Sequence, residues 1–221
     1  METPYPPARS FRPRRRALSP ARAEMYDRLF AHWALPVVGE PLDLAELFGS
    51  DVDVVLDIGY GGGEGLIELA ETQPHQSVIG VEVHTPGVAK VLEAVERNGW
   101  QHVRVVDGDV LELLPRIPVA SLAGVRLYFP DPWLKNKQRH RRLARADVVS
   151  SLVDRLRIGG TLHVATDIPE YAAQTLDVCG AEPRLRGGVV PRPSWRPVTR
   201  FELRGLAAGR EPTDMLYERV S

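Results

Sequence analysis

From about residue 53 onward, short runs of β-branched residues alternate with helical segments, and this alternation dominates the chain. The apolar runs predict strands at 54–58, 78–83, 103–106, 125–129 and 161–166, with helices at 65–72, 87–98, 110–114, 139–157 and 169–179 between them. Ahead of this region, 23–33 reads as a short helix with Met25, Leu29 and Phe30 on one face, and an irregular link follows through Pro36, Gly39 and Pro41. After Gly180 the periodicity weakens. There 184–190 and 215–220 read as two more strands, separated by a Pro- and Arg-rich loop. Strand-helix alternation predicts an α/β fold with a parallel sheet covered on both faces, and right-handed crossovers make it doubly wound. The last two strands fit an antiparallel pair added at the sheet edge. No internal repeat is visible.

At 221 residues and 43% hydrophobic content the chain has the size of one domain with a tail. We expect a catalytic unit over 23–221 and a disordered basic arm over 1–22, where Pro4, Pro6, Pro7, Pro13 and Pro20 interrupt six arginines. No apolar run reaches the roughly 18 residues that span a bilayer, and no apolar h-region follows the N-terminal arginines, so a cytoplasmic protein is expected. The single cysteine, Cys179, cannot make an internal disulfide or a thiolate metal cage, and a small buried hydrophobe is its expected role. No metal is expected.

The formal net charge of -1 conceals an uneven distribution. Lys135 to Arg145 holds six Lys or Arg and no acid, and Arg184 to Arg210 holds seven Arg with only Glu202. With the N-terminal arginines these clusters suit one anion-binding face, although a chain with 25 Arg and three Lys is arginine-biased throughout.

Candidate chemistry falls at the predicted carboxyl ends of the strands, where ligands sit in such sheets. Asp57-Ile58-Gly59-Tyr60-Gly61-Gly62-Gly63 places glycines where a strand turns into a helix. Counted from Gly59, Glu64 stands where a dinucleotide fingerprint needs its third glycine, and a pyrophosphate there would meet the carboxylates of Asp57 and Glu64. Asp57 instead suits a cationic ligand such as S-adenosylmethionine, bound through a turn that includes Gly59 and Gly61. Glu82 ends the second strand, about 20 residues beyond the glycines, where an acid accepts from both ribose hydroxyls. Asp109 has two readings, acceptor for an adenine amino group and cap of the following helix. In Phe129-Pro130-Asp131-Pro132-Trp133 two prolines aim the carboxylate of Asp131, and Trp133 offers a plane for a base.

These segments, with Gly80-Val81-Glu82-Val83-His84, Lys135, Arg141-Arg142, Ala165-Thr166-Asp167 and Arg196-Pro197-Val198-Thr199-Arg200-Phe201-Glu202, resemble the tRNA (guanine-N7-)-methyltransferase family from about Asp53 to Tyr217. The resemblance implies a Rossmann-like class I methyltransferase fold and methyl transfer from S-adenosylmethionine to N7 of guanosine at position 46 in the variable loop of tRNA. It implies that Asp57, Glu82, Asp109 and Asp131 bind the donor and that Asp131 is also catalytic. Lys135, Asp167, Thr199, Arg200, Phe201 and Glu202 are implied to bind the tRNA. The sequence departs from relatives at Asp57, where glutamate is common, and at Gln138 and Arg210, where histidine is expected.

Guanine N7 carries a lone pair and no proton, so its attack needs positioning and charge stabilisation rather than a general base. Asp131 and Glu202 are expected to accept from the guanine N1–H and exocyclic amine, and Lys135 to contact phosphate. Two rival readings are an exocyclic amine methyltransferase acting on RNA and a cofactor-free RNA-binding protein on the same fold. An NAD dehydrogenase is more distant, because the third fingerprint glycine is missing. No obligatory protein partner is indicated.

Overall fold

The computed structural model describes residue 10, residues 18–50 and residues 52–221. In chain order the elements are α1 (Pro20–Trp33), α2 (Leu44–Phe48), β1 (Asp53–Ile58), α3 (Glu64–Thr72), β2 (Gln76–Glu82), α4 (Thr85–Asn98), β3 (Val103–Asp107) and α5 (Val110–Leu113). They continue as β4 (Leu122–Tyr128), α6 (Ala146–Arg155), β5 (Leu156–Thr166), α7 (Pro169–Ala181), β6 (Leu185–Val190), α8 (Arg200–Ala207) and β7 (Thr213–Arg219). Local chemistry marks several boundaries. Pro20, Pro86 and Pro169 sit in the first turns of α1, α4 and α7, where a missing N–H costs nothing, and Gly99 ends α4 in the left-handed conformation.

The seven strands form one sheet in the order β3-β2-β1-β4-β5-β7-β6. β1 to β5 pair in parallel, while β7 runs antiparallel to β5 on one side and β6 on the other. The expected doubly wound, mostly parallel sheet with an antiparallel C-terminal pair is what forms. Apolar side chains cover both faces. Leu56, Ile79, Val125, Val149, Leu152, Leu162 and Met215 belong to one cluster, and Leu29, Leu66, Val78, Val88, Leu92 and Val105 to the other. The chain moves outward from β1 to β2 and β3, then returns to place β4 on the other side of β1. This reversal opens a crevice at the carboxyl ends of β1 and β4. Among the described residues no helix is long and apolar enough to cross a membrane.

Two expectations change. The helix expected over 139–157 is a 3₁₀ segment, Asn136–Arg141, followed by an extended Arg142 and then α6 from Ala146. Arg142 is buried, with its guanidinium donating to the Pro132 carbonyl, Gln174 and Glu170, and that anchorage breaks the helical run. The Pro- and Arg-rich loop expected before β7 contains α8. Only Glu202 and Gly205 of α8 are buried, and its Phe201, Leu203 and Leu206 are exposed, so no apolar face of α8 packs into the core. The basic arm expected over 1–22 falls largely outside the described residues; within it Ser10 and residues 18–22 are described, and α1 already begins at Pro20.

Candidate active site

The crevice is a cleft of about 520 Å³, within the usual range for small-molecule sites. Its floor is the turn after β1. Gly59, Gly61 and Gly63 have φ of 74°, 61° and 87°, a region costly for residues with a Cβ. The turn also needs glycine opposite it, since a Cβ on Gly87 of α4 would lie 1.8 Å from the Gly61 carbonyl oxygen. Glu82, at the end of β2, fastens the turn from the side. Its Oε2 accepts from the Gly61 N–H at 2.5 Å, and Oε1 accepts from the Val83 and His84 N–H groups at 2.6 and 2.8 Å.

Asp57 and Glu82 both line the cleft, with exposures of 3% and 7%. Burial pushes the Asp57 carboxyl up to about 6, against the pull of the Arg126 guanidinium and with a smaller push from the Glu82 charge. Burial likewise raises Glu82, against its three backbone hydrogen bonds. Two desolvated carboxylates at the head of a cleft favour a ligand that brings positive charge and hydroxyl donors.

Asp109 caps α5, with Oδ1 accepting from the Leu111 N–H at 3.1 Å, so the capping role is observed. It also accepts from the Ser10 N–H at 3.0 Å and from the Ser10 hydroxyl at 2.7 Å. The Ser10 carbonyl in turn accepts from Trp133 Nε1 at 3.0 Å, and Ser10 lines the cleft. Nothing in the arginine- and proline-rich pattern around Ser10 signals this contact.

Asp131 stands exposed at the mouth of the cleft, flanked by Pro130 and Pro132. Phe129 and Trp133 bracket these residues with φ of 50° and 41°, strained values for bulky side chains. Trp133 is buried, and the Arg141 guanidinium lies 5.0 Å from its ring centroid, so it is packed support rather than an open stacking plane. The loop is further held by Arg142, which donates to the Pro132 carbonyl at 2.8 Å.

The remaining wall comes from the segment leading into α8. Thr199 caps α8 by accepting from the Glu202 N–H at 3.1 Å, and Thr199, Arg200, Phe201 and Arg204 line the cleft. Arg200 reaches across to Glu64 at 2.9 Å, joining α8 to α3 beside the glycine turn. Three residues expected on the substrate side do not line the cleft. Lys135 is exposed beyond it on the basic 135–145 segment. Asp167 accepts from Arg210 at 2.8 Å, so the arginine at that departure from the family pattern is its partner. Glu202 is buried, and both of its oxygens accept from Arg196 at 2.8 Å. The cleft therefore brings together Asp57, Gly59, Gly61, Glu82, Asp109, Asp131, Thr199, Arg200 and Phe201.

Comparison with known proteins identifies the family. The model of a family described as "Putative methyltransferase" matches residues 51–215. A tRNA (guanine-N(7)-)-methyltransferase of Streptomyces avermitilis is 42% identical, over 96% of this chain and 75% of that one. Proteins of the same name from Xanthomonas axonopodis pv. citri and Nitrosospira multiformis are 43% and 39% identical, covering 96% and 98% of this chain and 84% and 96% of theirs. Among solved structures, an rRNA methylase from Streptococcus thermophilus superposes with a TM-score of 0.55 at 17% identity, over 80% of this chain and 92% of that one. The aminoglycoside resistance methyltransferase NpmB1 does so with 0.58 at 19% identity and the same coverage; both share the Rossmann-like fold. With the glycine turn, the two buried acids and the Asp131 loop gathered at one cleft, and relatives matched over nearly the whole chain, this protein belongs to the tRNA (guanine-N(7)-)-methyltransferase family.

Proposed function

We propose that this chain transfers the methyl group of S-adenosylmethionine to N7 of guanosine 46 in the variable loop of tRNA, giving N7-methylguanosine, as one catalytic unit over 23–221 with the basic arm 1–22 attached. The observation that carries the donor assignment is the pair of buried carboxylates, Asp57 and Glu82, beside a turn of three left-handed glycines. The acceptor assignment rests on the relatives' names and on the Asp131 and Thr199–Glu202 segments at the same cleft.

S-adenosylmethionine supplies an electrophilic methyl group on a sulfonium centre when bound. Asp57 favours the cationic end, Glu82 takes the ribose hydroxyls while keeping Gly61 in place, and Asp109 accepts from the adenine amino group beside Ser10. On the acceptor side no residue has to remove a proton from N7. Asp131 accepts from guanine donors, orients N7 and stabilises the charge that the purine acquires. Phe201 and Arg200 close the wall opposite. Glu202, committed to Arg196, acts by fixing α8 and not by meeting the base. Lys135 and its basic neighbours hold the phosphates of folded RNA, where shape and backbone outweigh base sequence.

The test is to incubate the protein with labelled S-adenosylmethionine and unmodified tRNA, then to identify the nucleoside and its position by mass spectrometry. Label in N7-methylguanosine at position 46 is expected. Label in an exocyclic amine, or in no tRNA nucleoside, would defeat the assignment.

A further inference from the structure

We propose that Arg196 is a positioning residue for methyl transfer, setting the separation between α8 and the Asp131 loop, the two sides between which the acceptor base enters; this rests on the function proposed above. One face of the sheet at β4 and β5 carries a polar layer in place of aliphatic side chains. Arg126 and His163 are register partners on adjacent strands, and Tyr128 and Asp214 lie next to them. The segment between β6 and α8 lies over this layer, with Trp195 placed 5.5 Å from the His163 ring and 5.5 Å from the Arg126 guanidinium.

Arg196 is at the centre of the layer with a side-chain exposure of 0%. Nη1 and Nη2 donate to the two Glu202 oxygens at 2.8 Å each. Nη2 also donates to Asp214 Oδ2 at 3.0 Å, and Nε lies 2.7 Å from Asp214 Oδ1 without an aligned N–H. Its guanidinium sits 5.7 Å from the Tyr128 ring and 5.6 Å from the Phe129 ring. Asp214 Oδ1 also lies 2.9 Å from His163 Nε2, and His163 Nδ1 lies 2.8 Å from the Tyr128 hydroxyl, so the hydrogen-bonded chain continues from Arg196 through Asp214 and His163 to Tyr128.

The two rings beside Arg196, Tyr128 and Phe129, line the cleft, and the carboxylate it holds on α8 adjoins a lining residue. Glu202 follows Phe201 on α8, and Phe129 precedes Asp131 by two residues in a left-handed conformation. α8 has no large apolar side chain in the core; it is held by Glu202 with Arg196, by the close approach of Gly205 to Asp167 and, at the surface, by Arg200 with Glu64. Stability alone does not call for this arrangement, because buried ion pairs are often replaceable by apolar groups without loss. What an apolar side chain cannot do is fix two carboxylates and two rings in set directions at once.

The experiment compares Arg196→Lys and an uncharged set, Arg196→Met with Glu202→Leu and Asp214→Asn, against the unmodified protein. S-adenosylmethionine affinity is measured by calorimetry, thermal unfolding by calorimetric scan, and methyl transfer in single turnover with saturating tRNA. Affinity for the donor within about threefold of the parent is expected for both, with a single-turnover rate lowered at least tenfold. The uncharged set is expected to recover thermal stability without recovering rate. Hydrogen exchange should quicken in α8 while β1 and β4 stay protected. A parental rate in Arg196→Lys, or a rate that returns with stability in the uncharged set, overturns the inference. An unmodified protein that forms no N7-methylguanosine strikes the proposed function instead, and unchanged exchange in α8 then overturns the positioning role independently.

Discussion

Affinity for S-adenosylmethionine should fall with acidification, and Asp57 sets where. Its carboxyl is pushed up to about 6 because it is buried, and the nearby Arg126 guanidinium only partly offsets that burial. Above this value the ionised form is ready for a cationic ligand; below it a proton must leave before the ligand gains its counter-ion. The dissociation constant should therefore rise about tenfold between pH 7.5 and pH 5, which is about 1.4 kcal/mol. At pH 5.5 binding should release roughly three quarters of a proton, countable by titration calorimetry in buffers of different ionisation enthalpy. Stability runs the opposite way from that of a salt-bridged acid. The folded value lies above the ordinary 3.8, so the unfolded chain ionises first as pH rises. The ligand-free protein should lose about 2 kcal/mol from this group between pH 4 and pH 6, and the donor should restore stability most strongly above pH 6. Asp57→Asn should bind the donor more weakly at pH 8, show a flatter pH profile and melt higher without ligand. A dissociation constant unchanged from pH 7.5 to pH 5, with no proton released at pH 5.5, would refute the reasoning.

Three further outcomes follow from the same geometry. Gly87→Ala puts a methyl 1.8 Å from the Gly61 carbonyl oxygen, so thermal unfolding should show a loss of at least about 2 kcal/mol and calorimetry a large loss of donor affinity; normal values for both would count against the close approach. Asp131→Asn keeps the shape of the loop and removes the charge at the cleft mouth, so single-turnover methylation should slow by about 100-fold with tRNA bound, while an undiminished rate would remove Asp131 from the chemistry. Replacing exposed Lys135 and Lys137 together by alanine should reduce the slope of log affinity for tRNA against log salt by about one to two, with donor affinity unchanged; an unaltered slope would place the RNA elsewhere.

Strand and helix alternation, glycines at the first strand end and acids at the ends of the next strands were readable from the chain because they are local. A period-2 or helical pattern and a turn residue act over a few positions, and the parallel sheet, its antiparallel end and the places of Asp57, Gly59, Gly61, Glu82, Asp109 and Asp131 follow from them. α8 escaped notice because its buried positions are a glutamate and a glycine, and Arg142 interrupted an expected helix because its partners lie on another helix and on the Asp131 loop. The roles of charged residues depended wholly on distant neighbours. Glu202, taken from sequence as a group for the base, is turned to Arg196; Asp167 is held by Arg210; Asp109 is met by Ser10, 99 positions away. A carboxylate looks the same in a sequence whether it faces solvent, ligand or guanidinium. Its partner is chosen by crossovers that bring remote segments together at one sheet edge, where desolvation penalises any buried charge left unmatched.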